Sequence, residues 1–268
     1  ALTAAGVTSK FVLSRQNQDI VGDNPAVVRS DTYRTVVGAK GEFGLLEQRW
    51  FWDASFTYGQ ADARGQSFQI KDIEYALALD AVDEGLVRNG VTNGNIVCRA
   101  QVTPAAYLGR TPQGVNGLEL VRVRQPDGTF VEQLIRKVVT QDQISACRPL
   151  NPFGYNQMSA ASKEYVLART GFENTSKQYF ALATLGGTLF DLPGGPLGVA
   201  VSGEYRREEI AYKPDALSAV GGTRTAALAE TEGYIDAMEF SAEARIPVFG
   251  DDFNIPLFRN LDLTPGVR

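Results

Sequence analysis

The sequence predicts an all-β chain: an antiparallel, up-and-down transmembrane β-barrel, present in part as about seven long strands with short periplasmic turns and long extracellular loops. Three observations predict it. Segments that alternate apolar and polar residues recur along the chain, and two of them hold the pattern for about fifteen residues where soluble strands run five or six. Short turns and long loops alternate strictly between the segments. No uncharged run exceeds about 14 residues, short of the roughly 18 that a transmembrane helix needs, whereas a barrel strand crosses with about 10 of alternating character.

The first candidate strand is Val7–Arg15, with Val7, Phe11 and Leu13 on one side and Lys10 on the other. Thr32–Phe43 sets Tyr33, Val37, Ala39 and Phe43 opposite Arg34, Lys40 and Glu42. In Arg49–Gly59, RWFWDASFTYG, one parity holds Trp50, Trp52, Ala54, Phe56 and Tyr58, and Asp53 stands on the other. Tyr179–Phe190 is apolar on both parities, so its faces stay unassigned. Leu197–Tyr212 sets Leu197, Val199, Val201 and Tyr205 against Ser202, Glu204, Arg206 and Glu208. Tyr234–Val248 sets Met238, Phe240, Ala242, Ala244, Ile246 and Val248 against Glu239, Ser241, Glu243 and Arg245. Leu257–Arg268 begins a seventh strand.

The whole chain, 1–268, reads as part of one barrel domain, within which about 60–169 is a large extracellular loop region. A structured loop of that size is uncommon unless it carries function. Inside it, Asp72–Arg88 suits a helix, and VRVRQPDGTFVEQ suits a hairpin turning at Pro126-Asp127-Gly128. The opening ALTAAGVTSKFV lacks a signal peptide's charged start, and LDLTPGVR stops inside a strand, so both ends read as cut.

Composition narrows function mainly by exclusion. Net charge is -5, with 26 basic and 31 acidic residues dispersed and no basic run, which argues against a nucleic-acid partner. With no histidine, Ser-His-Asp and Cys-His catalysis and His-containing metal sites are unavailable. No cofactor is expected, and no acid/base or nucleophile constellation assembles from the motifs, so an enzyme ranks last. The acidic pairs Glu208-Glu209 and Asp251-Asp252 lack the spaced oxygens of a calcium loop. Asn174-Thr175-Ser176 matches a glycosylation acceptor and carries no weight here.

Alternation alone leaves two surroundings open for the aromatic rows, because a soluble β-sandwich alternates in the same way. Strand length and loop asymmetry favour lipid. The charged rows would then line a watery lumen, and Trp50, Trp52 and Tyr58 would suit an interfacial girdle.

Cys147–Gly154, CRPLNPFG, following Asn95–Arg99, NIVCR, resembles the paired-cysteine extracellular loop of TonB-dependent outer-membrane receptors. FDLPGGPLGVAVSGEYRRE (Phe190–Glu208) and FSAEARIPVFG (Phe240–Gly250) are similar to strand-turn-strand signatures of the same family. The resemblance implies a barrel with an N-terminal plug in the outer membrane of a Gram-negative bacterium. Such receptors take up a scarce small-molecule ligand of the siderophore, vitamin or saccharide class, coupled to inner-membrane energy through TonB. This sequence shows neither a plug nor a TonB box, and it ends in Arg268 where such barrels commonly end in an aromatic, so it reads as an interior piece. A passive porin-like barrel is the runner-up, and a soluble β-sandwich binding module comes third.

At a cell surface, Cys98 and Cys147 are expected to pair, the alternative being two unrelated thiols. Arg34, Glu204, Arg206, Glu239 and Arg245 are candidate ligand contacts on the lumen side, with Arg206 or Arg245 suited to hold a carboxylate; a hydrated ion-pair network is the plainer reading. In the loop, Tyr107, Phe153 and Tyr155 are candidates to stack on a ligand, and Tyr75 and Phe130 belong to the same set; loop packing is the alternative.

Overall fold

The structure is a computed structural model, and it describes residues 15–22, 24–45, 47–250, 256 and 259–268. The expected strand Val7–Arg15 apart from Arg15, the pair Asp251-Asp252 and most of the turn FGDDFNIP lie outside the described residues. Antiparallel β-structure dominates. The main sheet takes its strands in chain order: β1 (Val27–Leu45), β2 (Gln48–Ile70), then β7 (Leu167–Leu192), β8 (Gly195–Pro214), β9 (Thr231–Phe249) and the short β10 (Leu261–Leu263), with β11 (Gly266–Val267) also on β9. The path has two ends, β1 and β10, so the sheet is open among the described residues.

These strands are longer than the pattern predicts. The expected loop 60–169 narrows to 71–166, because β2 runs to Ile70 and β7 begins at Leu167. The extra length is held by contacts that no alternation reveals: Thr170 Oγ1 bonds the Ser67 carbonyl at 3.2 Å, and the Phe172 ring occupies the space that a side chain at position 65 would fill, where only glycine stands. Conversely, the strand expected at Leu257–Arg268 is two short pieces with a register shift between Leu261 and Asp262.

The chain divides into two units. One comprises Ala1–Val28, Arg64–Phe172 and Lys213–Glu230; the other comprises Arg29–Ala63, Glu173–Tyr212 and Thr231–Arg268. The first is called the loop unit below and the second the sheet unit.

The loop unit has a core of its own. Leu77, Ala78, Cys98, Val139, Ile144, Cys147, Leu150 and Val166 are all at most 2% exposed and belong to one cluster. Burying each large aliphatic side chain contributes about 1.5–3 kcal/mol. Cys98 and Cys147 form a disulfide at the centre of this cluster, closing 49 residues. Around it, Leu150 N donates to Ala78 O at 2.8 Å, Gln101 Nε2 to Cys147 O at 3.1 Å, and Tyr165 Oη to Gln143 O at 2.8 Å.

The single helix expected at Asp72–Arg88 is instead α2 (Asp72–Leu79), the three-residue β3 (Ala81–Asp83) and α3 (Glu84–Asn89). Two aspartates break it. Asp80 leaves helical geometry and binds both the Tyr107 hydroxyl and the Arg99 guanidinium, while Asp83 caps α3 by accepting from Leu86 N. β3 pairs with β4 (Ile96–Cys98), which leads into α4 (Arg99–Val102). The hairpin forms where expected, as β5 (Leu118–Arg124) and β6 (Phe130–Arg136). Three capped short helices complete the unit: α5 (Gln141–Ala146), α6 (Ala160–Val166) and α7 (Ala216–Ala219). Lys137 is buried beside Asp72, at 3.0 Å, and the Gly221 carbonyl, at 2.9 Å, tying the hairpin base to α2 and to the segment between β8 and β9.

Chain-entropy arithmetic for a loop of this size gives about 4 kcal/mol for the disulfide. Replacing both Cys98 and Cys147 by alanine is expected to lower the stability of the loop unit by about that amount. Hydrogen exchange should quicken in α2 and α5 while the β8–β9 amides stay protected.

Candidate functional site

The sheet unit presents two faces of opposite chemistry, and contacts fix which residues share each. On β8 and β9 the register pairs Val199 with Ala244, Val201 with Ala242, Gly203 with Phe240 and Tyr205 with Met238. Trp50 packs on Gly187 of β7, Tyr58 meets Tyr179 at 5.2 Å, and Phe43 of β1 stacks near Trp50 at 6.5 Å. One groove of about 750 Å³ is lined by Phe43, Trp52, Leu185, Val201 and Phe240 together, so all five long strands contribute to the same apolar face. The faces of β7 are thereby assigned, with Tyr179, Ala181, Ala183, Leu185 and Leu189 on the apolar side.

Nothing in the described chain covers this face. Phe240 is 76% exposed, Met238 73% and Trp52 38%, and Val199 is half-buried. Among the described residues, every fully buried large apolar side chain belongs to the loop unit. Bulky rings lie over glycines on neighbouring strands, Trp52 on Gly41, Trp50 on Gly187 and Phe240 on Gly203, which shields bare backbone from the side. Along β9 the apolar row from Met238 to Val248 rises about 33 Å, or about 24 Å at a 45° tilt, close to the roughly 25 Å apolar band of a membrane barrel.

The long-loop end of this face changes character abruptly. Each of the five strands places one tyrosine there: Tyr33, Tyr58, Tyr179, Tyr205 and Tyr234. Beyond or beside them come Gln60, Asp62, Thr175, Arg207, Glu209 and Asp236. Thr175 Oγ1 donates to Asp62 at 2.7 Å, and the Arg207 guanidinium lies 4.1 Å over the Tyr234 ring while pairing with Glu209 and Asp236. The sequence reading named Tyr33, Tyr58 and Tyr205 separately and missed the row, because aligning residues across strands needs the register.

The opposite face carries the charges. Glu204 stands directly across from Glu239, Ala200 from Glu243 and Gly198 from Arg245. Two like charges in one cross-strand pair are unfavourable unless bridged. Arg268 supplies the bridge, bonded to Glu239 and 3.8 Å from Glu204. Arg245 gives Nε and Nη2 to Asp262 at 3.0 and 2.7 Å, and Arg49 pairs with Glu42 at 3.0 Å. Three of the five candidates on this face, Glu204, Glu239 and Arg245, thus sit in ion pairs, whereas Arg206 and Arg34 have no ion-pair partner among the described residues. The same residues show no cluster of three or more ligating side chains placed to hold a metal ion.

The loop candidates separate. Tyr107 is packed against the buried core, and its hydroxyl donates to Asp80; burial first and that carboxylate second push its pKa up to about 12. It is a half-buried strut between Asp80 and the core. Tyr75 is buried, and Phe130 lies under the Arg122 guanidinium at 4.2 Å. Phe153 and Tyr155, by contrast, are exposed. Two carboxylates hold the surrounding segments. The Arg15 guanidinium keeps Asp19 below the usual carboxylate range, aided by Asn156 N against an opposing burial. Burial pushes Asp215 upward, but the Ser218 hydroxyl and the amides of Gly171, Ser218 and Leu217 outweigh it, and its pKa is lowered.

Two expectations follow from this geometry. A carboxylate held below its unfolded value of about 3.9 stabilises the fold fully above that pH and progressively less as pH falls through the folded value. Proteolysis of segments 15–22, 150–157 and 213–222 should therefore accelerate below about pH 4 and stay unchanged on raising pH from 6 to 9. Separately, arginine at Ala242, near the middle of the apolar row, should cost about 2–4 kcal/mol of folding free energy in lipid, whereas arginine at the adjacent Glu243 should cost less. Urea titration of the complete protein in vesicles reads both; equal costs would show that the two faces meet the same medium.

The chain matches no family model, and no curated protein or solved structure matches it.

Proposed function

We propose that this chain is part of the wall and the outer loops of a TonB-dependent outer-membrane receptor that takes up a scarce small-molecule ligand. The observation that supports it best is the uncovered aromatic face backed, on the same strands, by a charged one. In water the exposed Phe240, Met238, Trp52 and Phe56 would each forgo about 1.5–3 kcal/mol of burial. Against hydrocarbon that loss disappears, and the carboxylates and guanidiniums behind them meet a hydrated lumen. The tyrosine row suits the headgroup boundary that closes the apolar band. Among the described residues no helix is long and apolar enough to cross a membrane, so strands would make the crossing.

In this reading the closed barrel forms when further strands pair with the open edges of β1 and β10. The long segments 71–166 and 215–230 lie outside the cell, and the two-residue turns face the periplasm. Arg34, Lys40 and Arg206, without an ion-pair partner among the described residues, are lumen-side cations left to meet a passing ligand. The partners are outer-membrane lipid, the ligand and, through a plug on the complete protein, the TonB energy-coupling complex. No nucleic acid and no cofactor enter.

The complete protein is expected in the outer-membrane fraction of a Gram-negative cell, with faster gel mobility before boiling than after. Conductance across a planar bilayer then separates receptor from pore: a plugged receptor stays closed, whereas steady conductance would point to the passive porin. A monodisperse protein that needs no detergent would remove both readings.

A further inference from the structure

Four dipeptides in the chain set an asparagine or aspartate before a glycine: Asn89-Gly90, Asn93-Gly94, Asn116-Gly117 and Asp127-Gly128. In such a pair the glycine amide nitrogen can attack the side-chain carbonyl carbon, because the second residue has no side chain to obstruct it. Local structure decides whether the attack occurs, and all four pairs share the loop unit.

Three of the pairs are locked. Gly90 N donates to Leu86 O at 3.2 Å, Gly94 N to Asp83 Oδ2 at 2.8 Å and Gly128 N to Gln125 O at 3.0 Å. Their side chains are held as well: Asn89 Oδ1 accepts from Val91 N at 3.1 Å, Asn93 Oδ1 from Asn95 N at 3.0 Å and Asp127 Oδ1 from Thr129 N at 2.9 Å. These bonds occupy the attacking nitrogen and turn the carbonyl towards the amide two residues on.

Asn116-Gly117 has neither lock. Asn116 is exposed, and its side chain makes one bond, from Nδ2 to Glu119 Oε2 at 3.0 Å. Its Oδ1 and the Gly117 N–H have no hydrogen-bond partner among the described residues. The glycine is required by packing. A Cβ at position 117 would lie 2.9 Å from Thr111 Oγ1, which is itself bonded to Lys137 O at 2.7 Å. No larger residue fits there without displacing Thr111, so the pair keeps its reactive form.

We propose that Asn116 is a site of spontaneous deamidation, completed by water, and that its conversion loosens the β5–β6 hairpin from the rest of the loop unit. Gly117 N gives up its proton and bonds to Asn116 Cγ; the Cγ–Nδ2 bond breaks, and ammonia leaves with that proton, closing a succinimide ring. One water then opens the ring, giving aspartate by attack at Cγ and isoaspartate by attack at the Asn116 backbone carbonyl carbon. Nothing is oxidised or reduced. Both products replace the donor facing Glu119 by a carboxylate, so a hydrogen bond becomes a like-charge contact. Glu119 also accepts from Ala227 N at 3.0 Å and lies 3.9 Å from Lys137 Nζ, so the repulsion acts where the hairpin meets the segment after β8. Isoaspartate further lengthens the backbone by a methylene directly before Gly117, whose carbonyl accepts from Lys137 N at 3.0 Å at the hairpin base. The site rests on the loop unit alone and is independent of the membrane reading of the sheet.

The complete protein is to be aged at neutral and at mildly alkaline pH and mapped by peptide mass spectrometry, with the guanidinium-unfolded chain aged in parallel. In the folded protein Asn116 is expected to convert about tenfold or more faster than Asn89 or Asn93, since each of those must first break its hydrogen bonds. The rate should rise with pH, because the attacking amide must lose its proton, and the unfolded chain should convert all three at similar rates. Hydrogen exchange in β5 and β6 should quicken as Asn116 converts. It should stay unchanged over the same time in Asn116→Gln, whose longer side chain closes only a larger ring, and slowly. Folded-state conversion led by Asn89 or Asn93, or none at Asn116 while the unfolded chain converts, overturns the site. Conversion at Asn116 with unaltered exchange in the hairpin overturns the loosening.

Discussion

Everything in the sheet unit depends on one constraint: its inner strands satisfy one another's backbone hydrogen bonds, but its apolar face has no second layer among the described residues. Twisted sheets in water bury one face against a helix layer or another sheet. Here the deeply buried apolar side chains gather elsewhere, around Cys98 and Cys147 in the loop unit, while Phe240 and Met238 stand free. A face with about 24 Å of apolar height and an abrupt polar rim matches a medium that is itself apolar and of limited thickness. The long ladder supports this matching, because a hydrocarbon medium tolerates no unpaired N–H or C=O.

The charged face follows from the same alternation. A strand that sends Phe240 to one side must send Glu239 and Ser241 to the other at the same height. Charges there cannot be excluded from water without heavy desolvation, so the face needs a wet interior or wide exposure. Its ion pairs are long-range in sequence and close in space, Arg268 with Glu204 and Glu239, Arg245 with Asp262. Exposed pairs of this kind contribute little each, at most about 1 kcal/mol. Their stronger effect is to neutralise the opposed carboxylates of Glu204 and Glu239, which would otherwise repel across one rung.

Much of the sheet was legible in the sequence because its period is two. The rows named on β1, β2, β8 and β9 each fall on a single face, and the ten charges read as one set share the other. What was not legible depends on partners distant in sequence. Tyr179–Phe190 is apolar on both parities, and only Tyr58 and Trp50 on the next strand reveal which side is which. The strand ends beyond Gly59 and before Tyr179 rest on Phe172 over Gly65 and Thr170 against Ser67, pairs with no periodic signal. The broken helix at Asp80 answers to Tyr107 and Arg99, which lie about twenty or more residues away. Tyr107 looked like a free loop aromatic for the same reason: its neighbours are set by tertiary packing.

The contrast between the two units also bears on what fixes each of them. A loop is normally the mobile part of a barrel, since it lacks buried apolar contacts. Here the segment between β2 and β7 has a disulfide-centred core, a buried lysine that ties in the segment after β8, and capped helices. The loop unit therefore has its own source of rigidity. Backbone on such a unit can be held by its own side chains, as Arg15 and Asp19 hold the segment 152–156. Rows exposed on the sheet are placed by strand pairing, whereas side chains on the loop unit are placed by that unit's own core, so the two sets are fixed by independent contacts.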